Sequence, residues 1–258
     1  MFKYLKRLDP NWPVEVALAD VGHSRAQNKP RTWQRLNDQA FQWLQSHING
    51  SHEQRTTVSS EATVCEGGDS EAPQQVVGRT PEDLANHTLT FQLPQGGTQG
   101  DTAATDPNGP ATDPIVGPRL DPGEPCRRSK DGLPATGGYT AYTPPFARTE
   151  TYVGLGHVDV TYVWAAPPPP EASGLLAVRL FDAVPGGEEF LVTRGVYRLE
   201  NNPPVGTLRI PFFGNHWRVR PGHRLRLDIT QVDAFTFRPS NVPSTFTFSD
   251  VKLVLPTR

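Results

Sequence analysis

Cysteine, methionine and long apolar runs are all scarce in this 258-residue chain, and each scarcity excludes something. No stretch approaches the roughly 20 apolar residues that a membrane-crossing helix needs, so a helical span is not expected. The opening segment MFKYLKRLDP has neither the apolar run nor the small-residue cleavage site of a signal peptide. As written, the chain reads as soluble and untargeted, with its compartment undefined. The two cysteines, Cys65 and Cys126, are too few for a disulfide framework and form no CxxC pair, which excludes a structural zinc site. A single Cys65–Cys126 bond closing a long loop is the expectation. There is also no excess of positive charge: the net charge is -2 with a pI near 6.4, so nucleic acid and anionic membrane surfaces are not expected partners.

What is abundant is proline, 27 residues beside 23 glycines, and that much proline excludes a mostly helical protein. Three of the prolines precede Cys65 and 24 follow it, so two regions obey different rules, with a boundary near residues 50 to 60. In the first, Phe2, Leu5 and Leu8 share a helical face ended by Pro10, and Val14 to Ala19 is an apolar run of strand length. A turn-like stretch runs from Asp20 to Pro30. Trp33, Leu36, Ala40, Trp43, Leu44 and His47 then recur at spacings of three and four, with Gly50 placed to stop the helix. The order helix, strand, loop, helix is an α/β fragment whose strand needs neighbours and cover.

The second region reads as all-β. Residues 152 to 165, 175 to 183, 190 to 199, 206 to 213, 223 to 232 and 246 to 255 are rich in Val, Leu, Phe, Tyr and Thr, with turn signals between them. Leu225, Leu227 and Ile229 alternate with Arg224, Arg226 and Asp228; Asp228 and Asp233 could pair with Arg224, Arg226 or Arg238, but alternating charge on a strand usually marks its solvated face, and that is the expectation. The fold class expected is mainly β: an antiparallel β-sandwich of jelly-roll, galactose-binding-like type, preceded by the α/β fragment. Residues 96 to 138, with nine glycines and seven prolines, read as a long surface loop, and GGTQG within them reads as linker because it lacks the Lys-Ser/Thr of a phosphate loop.

Chemistry concentrates at Asp20-Val21-Gly22-His23-Ser24-Arg25-Ala26, which follows the strand directly. Taken as a variant nucleophile elbow, it would raise Ser24 on a tight strand-to-helix turn. Pro30 would then fall inside the helix that an elbow requires. Taken instead as the loop after a last strand, it offers His23 as the general base of a Ser-His-Asp hydrolase, accepting the serine proton and returning it to the leaving group. The competing reading of His23 is a solvated loop residue. His47 and His52 are spaced wrongly for one helical face, and His216 and His223 lack the carboxylate pattern of a metal site. Trp164, Tyr197 and Trp217 are candidates for a glycan-stacking platform, although aromatic residues in β runs are more often core.

The stretches PVEVALADVGHSRAQNK and LNDQAFQWLQSHING resemble the end of the hydrolase domain in the serine hydrolases that include X-Pro dipeptidyl peptidases and cocaine esterase. The later AVRLFDAVPGGEEFLVTRGVYRL and VRPGHRLRLDITQVDAFTFRPSN resemble the C-terminal jelly-roll domain of the same family. The resemblance covers residues 1 to 60 and 147 to 256. It implies His23 as the triad histidine, a peptide or acyl ester as substrate, an acyl-enzyme route with no cofactor, and a missing hydrolase core as structural partner. The domains it implies are a hydrolase remnant at 1–50 and a β-sandwich at 51–258. The nucleophile serine, its elbow and the triad aspartate have no counterpart in the sequence, so the chain alone is expected to be inactive. Met1, the only methionine, is compatible with an internal position in a longer frame. The alternative is a non-enzymatic β-sandwich module that binds glycans or proteins.

Overall fold

The computed structural model describes residues 2–19, 21, 30–50, 56–65, 74–100, 108–112, 126–129, 137–165, 172–200, 202–233 and 237–258. Within them the chain is mainly β with antiparallel sheets, and no helix is long and apolar enough to cross a membrane.

The first segment follows the expected order. Helix α1 (Phe2–Leu8) leads to strand β1 (Glu15–Leu18) and helix α2 (Pro30–Ile48). Pro30 suits the first helical position, where its missing N–H is no loss. At the other end Gly50 takes φ +65°, the left-handed conformation that closes a helix and that glycine adopts without strain. Strand β1 runs parallel to β2 (Thr57–Glu61), which pairs antiparallel with β3 (Gln75–Gly78). The three-stranded sheet thus runs past the boundary expected near residues 50 to 60. Val58, Val76 and Leu84 bury themselves with Val153, joined by Phe2 and Val16, and this small core ties the unit to the sheets that follow.

Those sheets contain β4 (His87–Leu93), β5 (Gly96–Gly100), β6 (Tyr139–Tyr142), β7 (Glu150–Gly154), β8 (His157–Ala165), β9 (Gly174–Ala183), β10 (Glu189–Leu199), β11 (Val205–Pro211), β12 (Asn215–Val219), β13 (Arg224–Thr230) and β14 (Ser244–Thr257), with a short helix α3 (Asn108–Thr112). One sheet has the order β10-β9-β13-β6. The other has β11-β8-β14-β7-β12, with β4 and β5 also paired to β14. Leu176, Val178, Leu180, Leu225, Leu227 and Ile229 from the first meet Val158, Val160, Tyr162, Phe246, Phe248 and Leu253 from the second in one continuous core. The run expected as one strand over 152 to 165 is two, broken where Gly154 takes φ +113°.

The structure corrects two expectations. GGTQG is not linker but β5, antiparallel to β14, and residues 96 to 138 are therefore not one irregular loop. The glycines mark close approach rather than flexibility: a Cβ on Gly97 would strike the Phe246 carbonyl oxygen, and one on Gly96 the Tyr139 ring. Second, Arg226 and Asp228 do not face solvent. Both are fully buried, together with Arg179 and Asp233. Arg179 donates to Asp233 at 2.7 Å, Arg226 donates to Asp228 at 3.0 Å and to Glu189, and Arg194 lies 3.6 Å from Asp233. The four-stranded sheet is thus covered on both faces, its second face by an ion network in which three arginines match three carboxylates. The 126–129 segment helps close that layer, since Ser129 accepts from Arg226 and its N–H bonds the Glu189 carbonyl. Cys126 is disulfide-bonded to Cys65, with Cα atoms 5.2 Å apart, which anchors this segment.

Candidate functional site

Strand β1 ends at Leu18 and α2 begins at Pro30, so the strand is followed by the helix as read from the sequence. Ala19 and Val21 are described, whereas His23 and Ser24, the candidate base and the elbow alternative, lie outside the described residues. His52 does also.

The described end of β1 opens onto a cavity of about 1020 Å³. Its walls include Leu18 of β1 and Val21 beyond it, Ser60 and Glu61 of β2, Leu84 to Asn86 before β4 with His87 and Thr88 of that strand, Val153 and Gly154 of β7 with Leu155 after it, and Asn215 and His216 of β12. The register explains the convergence. Ser60 sits opposite Leu18 in the parallel β1–β2 pair, His216 sits opposite Val153 in the β12–β7 pair, and the Thr63 N–H bonds the His216 carbonyl at 2.9 Å, drawing the continuation of β2 alongside β12.

The polar groups of this cleft are mostly paired. The Glu61 carboxylate accepts from Arg35 of α2 at 2.5 Å, and burial raises its pKa against the lowering influence of that guanidinium. Glu82 pairs with Lys3 at 2.5 Å, which lowers its pKa. His87 lies between Asn86 Oδ1 at 2.6 Å and Glu150 at 3.3 Å, and Glu150, also held by Arg148 at 2.8 Å, titrates below its usual range chiefly because of that arginine. Asn215 accepts from the Thr63 hydroxyl at 3.2 Å. His216 is 2% exposed, with Nδ1 3.2 Å from Ser60 Oγ. Burial lowers its pKa, outweighing a hydrogen bond to the Ser60 main chain that favours the protonated ring. The imidazole is therefore neutral at pH 7, able to donate or accept one proton-mediated bond at each nitrogen.

The other sequence candidates fall elsewhere. Trp164 stacks on Phe246 with ring centroids 5.5 Å apart, Trp217 donates from Nε1 to Asp182 at 2.8 Å, and Tyr197 packs partly buried against the same core, so these three residues form no exposed platform. His223 does have a carboxylate neighbour, contrary to expectation: Nδ1 is 2.8 Å from Asp182 Oδ1. That pair closes a turn inside the sandwich, sharing Asp182 with Trp217, and is remote in sequence from the β1 loop. His47 stacks on Trp43 of its own helix at 3.9 Å. Ser60, Glu61 and His87 of the cleft went unnoticed in the sequence, and His216 was considered only as a metal ligand, because no short spacing links them; Ser60 and His216 are 156 positions apart.

No family model matches the chain, and no curated protein is similar to it in sequence. Among solved structures, it is similar in fold to an aminopeptidase from the marine sediment archaeon Thaumarchaeota archaeon. That likeness has a TM-score of 0.66 at 14% identity and covers 100% of this chain and 51% of the aminopeptidase. It is also similar to a CocE/NonD family hydrolase from Staphylococcus aureus, with a TM-score of 0.50 at 9% identity, covering 78% of this chain and 41% of that one. At such identities the likeness is one of fold. The chain spans about half the length of the aminopeptidase.

Proposed function

We propose that this chain is the C-terminal portion of a serine hydrolase of the X-Pro dipeptidyl peptidase and cocaine esterase type. In this reading His23 is the triad base, a jelly-roll domain follows the end of the hydrolase domain, and the substrate is a peptide or acyl ester. The observation that carries the proposal is the incompleteness of the first segment. Among the described residues strand β1 pairs on one edge only, and a parallel strand pair ordinarily lies inside a sheet covered on both faces. Its Leu18 is 49% exposed, and the apolar stripe of α2 leaves Trp33, Phe41, Leu44 and Ile48 exposed. These are the surfaces that a further α/β sheet would pair and cover. The fold likeness to half of an aminopeptidase supports the same reading.

In the mechanism, His23 takes the proton of a serine hydroxyl as it attacks the scissile carbonyl, then returns it to the leaving amine or alcohol; water repeats the cycle on the acyl-enzyme. A buried carboxylate orients the imidazole, and two N–H donors stabilise the oxyanion. Serine, carboxylate and donors would come from the covering sheet, and this chain would supply the base and one wall of the cleft. The reading frame upstream of Met1 tests the proposal. It should encode a strand–G-x-S-x-G–helix elbow and a later Asp; a frame that closes without them sinks the assignment.

A further inference from the structure

The ionisable side chains of the cleft at the end of β1 are already satisfied or out of reach. Among its described lining residues there is no lysine and no arginine. Its carboxylates are paired, Glu61 with Arg35 and Glu82 with Lys3, while His87 sits between Asn86 and Glu150 and His216 is buried. A charge entering here would lose hydration and meet no vacant partner. The apolar residues are placed differently. Leu84 and Val153 are buried in the small core, whereas Leu18 of the three-stranded sheet and Leu155 of the turn between β7 and β8 line the same cavity exposed. The Leu155 turn is pinned: the Gly156 N–H donates to the Tyr152 hydroxyl at 3.1 Å, the Phe212 N–H donates to the Gly156 carbonyl at 2.9 Å, and Asn215 pairs with Gly154. Leu155 nevertheless belongs to neither hydrophobic core and is 72% exposed. A fixed turn that holds a large apolar side chain at a cavity is preorganised for apolar contact, because little loop ordering is left to oppose binding. At about 1020 Å³ the cavity stands at the upper end of the range of roughly 300–1,000 Å³ usual for small-molecule sites.

We propose that this cleft binds an uncharged small molecule with an apolar ring or chain, through apolar contact with Leu18, Leu155 and Pro256. Anions are disfavoured because the described walls offer no cationic side chain, and cations because both carboxylates are engaged. A molecule covered in hydroxyl groups gives up hydration without gaining apolar contact. The inference rests on the described walls alone and holds whether or not His23 is catalytic.

The test uses the whole chain, labelled with ¹⁵N and titrated at pH 7 with four probes of comparable size: anisole, which is neutral and apolar, benzoate, benzylamine, which is a cation at that pH, and glucose. Anisole should shift the amides of Leu18, Val153 and Leu155, benzoate and benzylamine should bind about tenfold more weakly or worse, and glucose should leave these amides unmoved. Leu155→Asn changes an exposed side chain of similar size, so the fold is kept, and anisole should bind that variant about tenfold more weakly. Val205→Asn alters a residue that is also exposed but does not line the cavity, and should leave anisole binding as it was. Benzoate or benzylamine as the preferred probe, glucose equal to anisole, undiminished binding of anisole to Leu155→Asn, or no shift at these amides with any probe would each overturn the proposal. The ranking of the probes on the wild-type chain decides the matter even if a variant does not fold, and a failure here leaves the assignment of His23 untouched.

Discussion

Asp228 lies on β13 with its carboxyl fully buried, accepting from Arg226 at 3.0 Å and from the Thr140 hydroxyl at 2.9 Å. Arg226 also serves Glu189, so its charge is divided, and burial raises the Asp228 pKa to about 6. In the unfolded chain the same group titrates near its ordinary value of about 3.9. Between about pH 4 and 6 the unfolded state has therefore released a proton that the folded state still holds, and the stability owed to this carboxyl falls as pH rises through that window. The difference of about 2 pKa units amounts to roughly 3 kcal/mol, complete above the folded pKa. Asp228→Asn imitates the protonated carboxyl and does not titrate. Urea unfolding followed by tryptophan fluorescence near pH 4 and near pH 8 should show the variant gaining about 3 kcal/mol on the wild type between the two conditions, with most of the change between pH 4 and 6. A wild-type-to-variant gap that is constant with pH, or one that moves the other way, would mean that Arg226 keeps Asp228 ionised throughout and would refute the reasoning.

Three further outcomes follow. Gly97→Ala should destabilise the chain by about 1–3 kcal/mol, because the new Cβ meets the Phe246 carbonyl oxygen and neither main chain can give way freely; equal denaturation midpoints would show that β5 does not hold this register. Cys65→Ser should cost about 4 kcal/mol, the chain entropy released when a closed loop of 61 residues opens, and should speed amide exchange at Ser129 and Leu191, whose N–H groups hold the 126–129 segment to β10. The chain alone should not turn over p-nitrophenyl acetate or Gly-Pro p-nitroanilide; activity lost in Ser24→Ala would revive Ser24 as a nucleophile.

How much was legible in the sequence depended on whether a residue's role was set by its neighbours in the chain or by distant ones. The alternation of Leu225, Leu227 and Ile229 gave β13 away, and Pro30 and Gly50 bracketed α2. Strand β5 was hidden because its glycines answer to Tyr139 and Phe246, far along the chain. Strand β2 was hidden because its buried residues are polar, Ser60 bonded to His216 and Glu61 paired with Arg35, rather than apolar bulk. The misreading of Arg226 and Asp228 has the same origin: alternating charge looks alike whether the charged face meets water or a covering layer that supplies partners. At the candidate site, the order of strand β1 followed by helix α2 was legible. The contributions of Ser60 and His216 were not, since only the pairing of β12 with β7 brings them to the end of β1.

The central claim, that His23 is the base of a serine hydrolase site completed by a further sheet, meets its most direct test in a protein expressed with the sequence that reads in frame into Met1, should one exist. A fluorophosphonate probe should label one serine in that protein, and His23→Ala should slow the labelling by about 10³-fold or more, because the hydroxyl loses the group that takes its proton. Labelling that proceeds at the same rate without His23 would contradict the account.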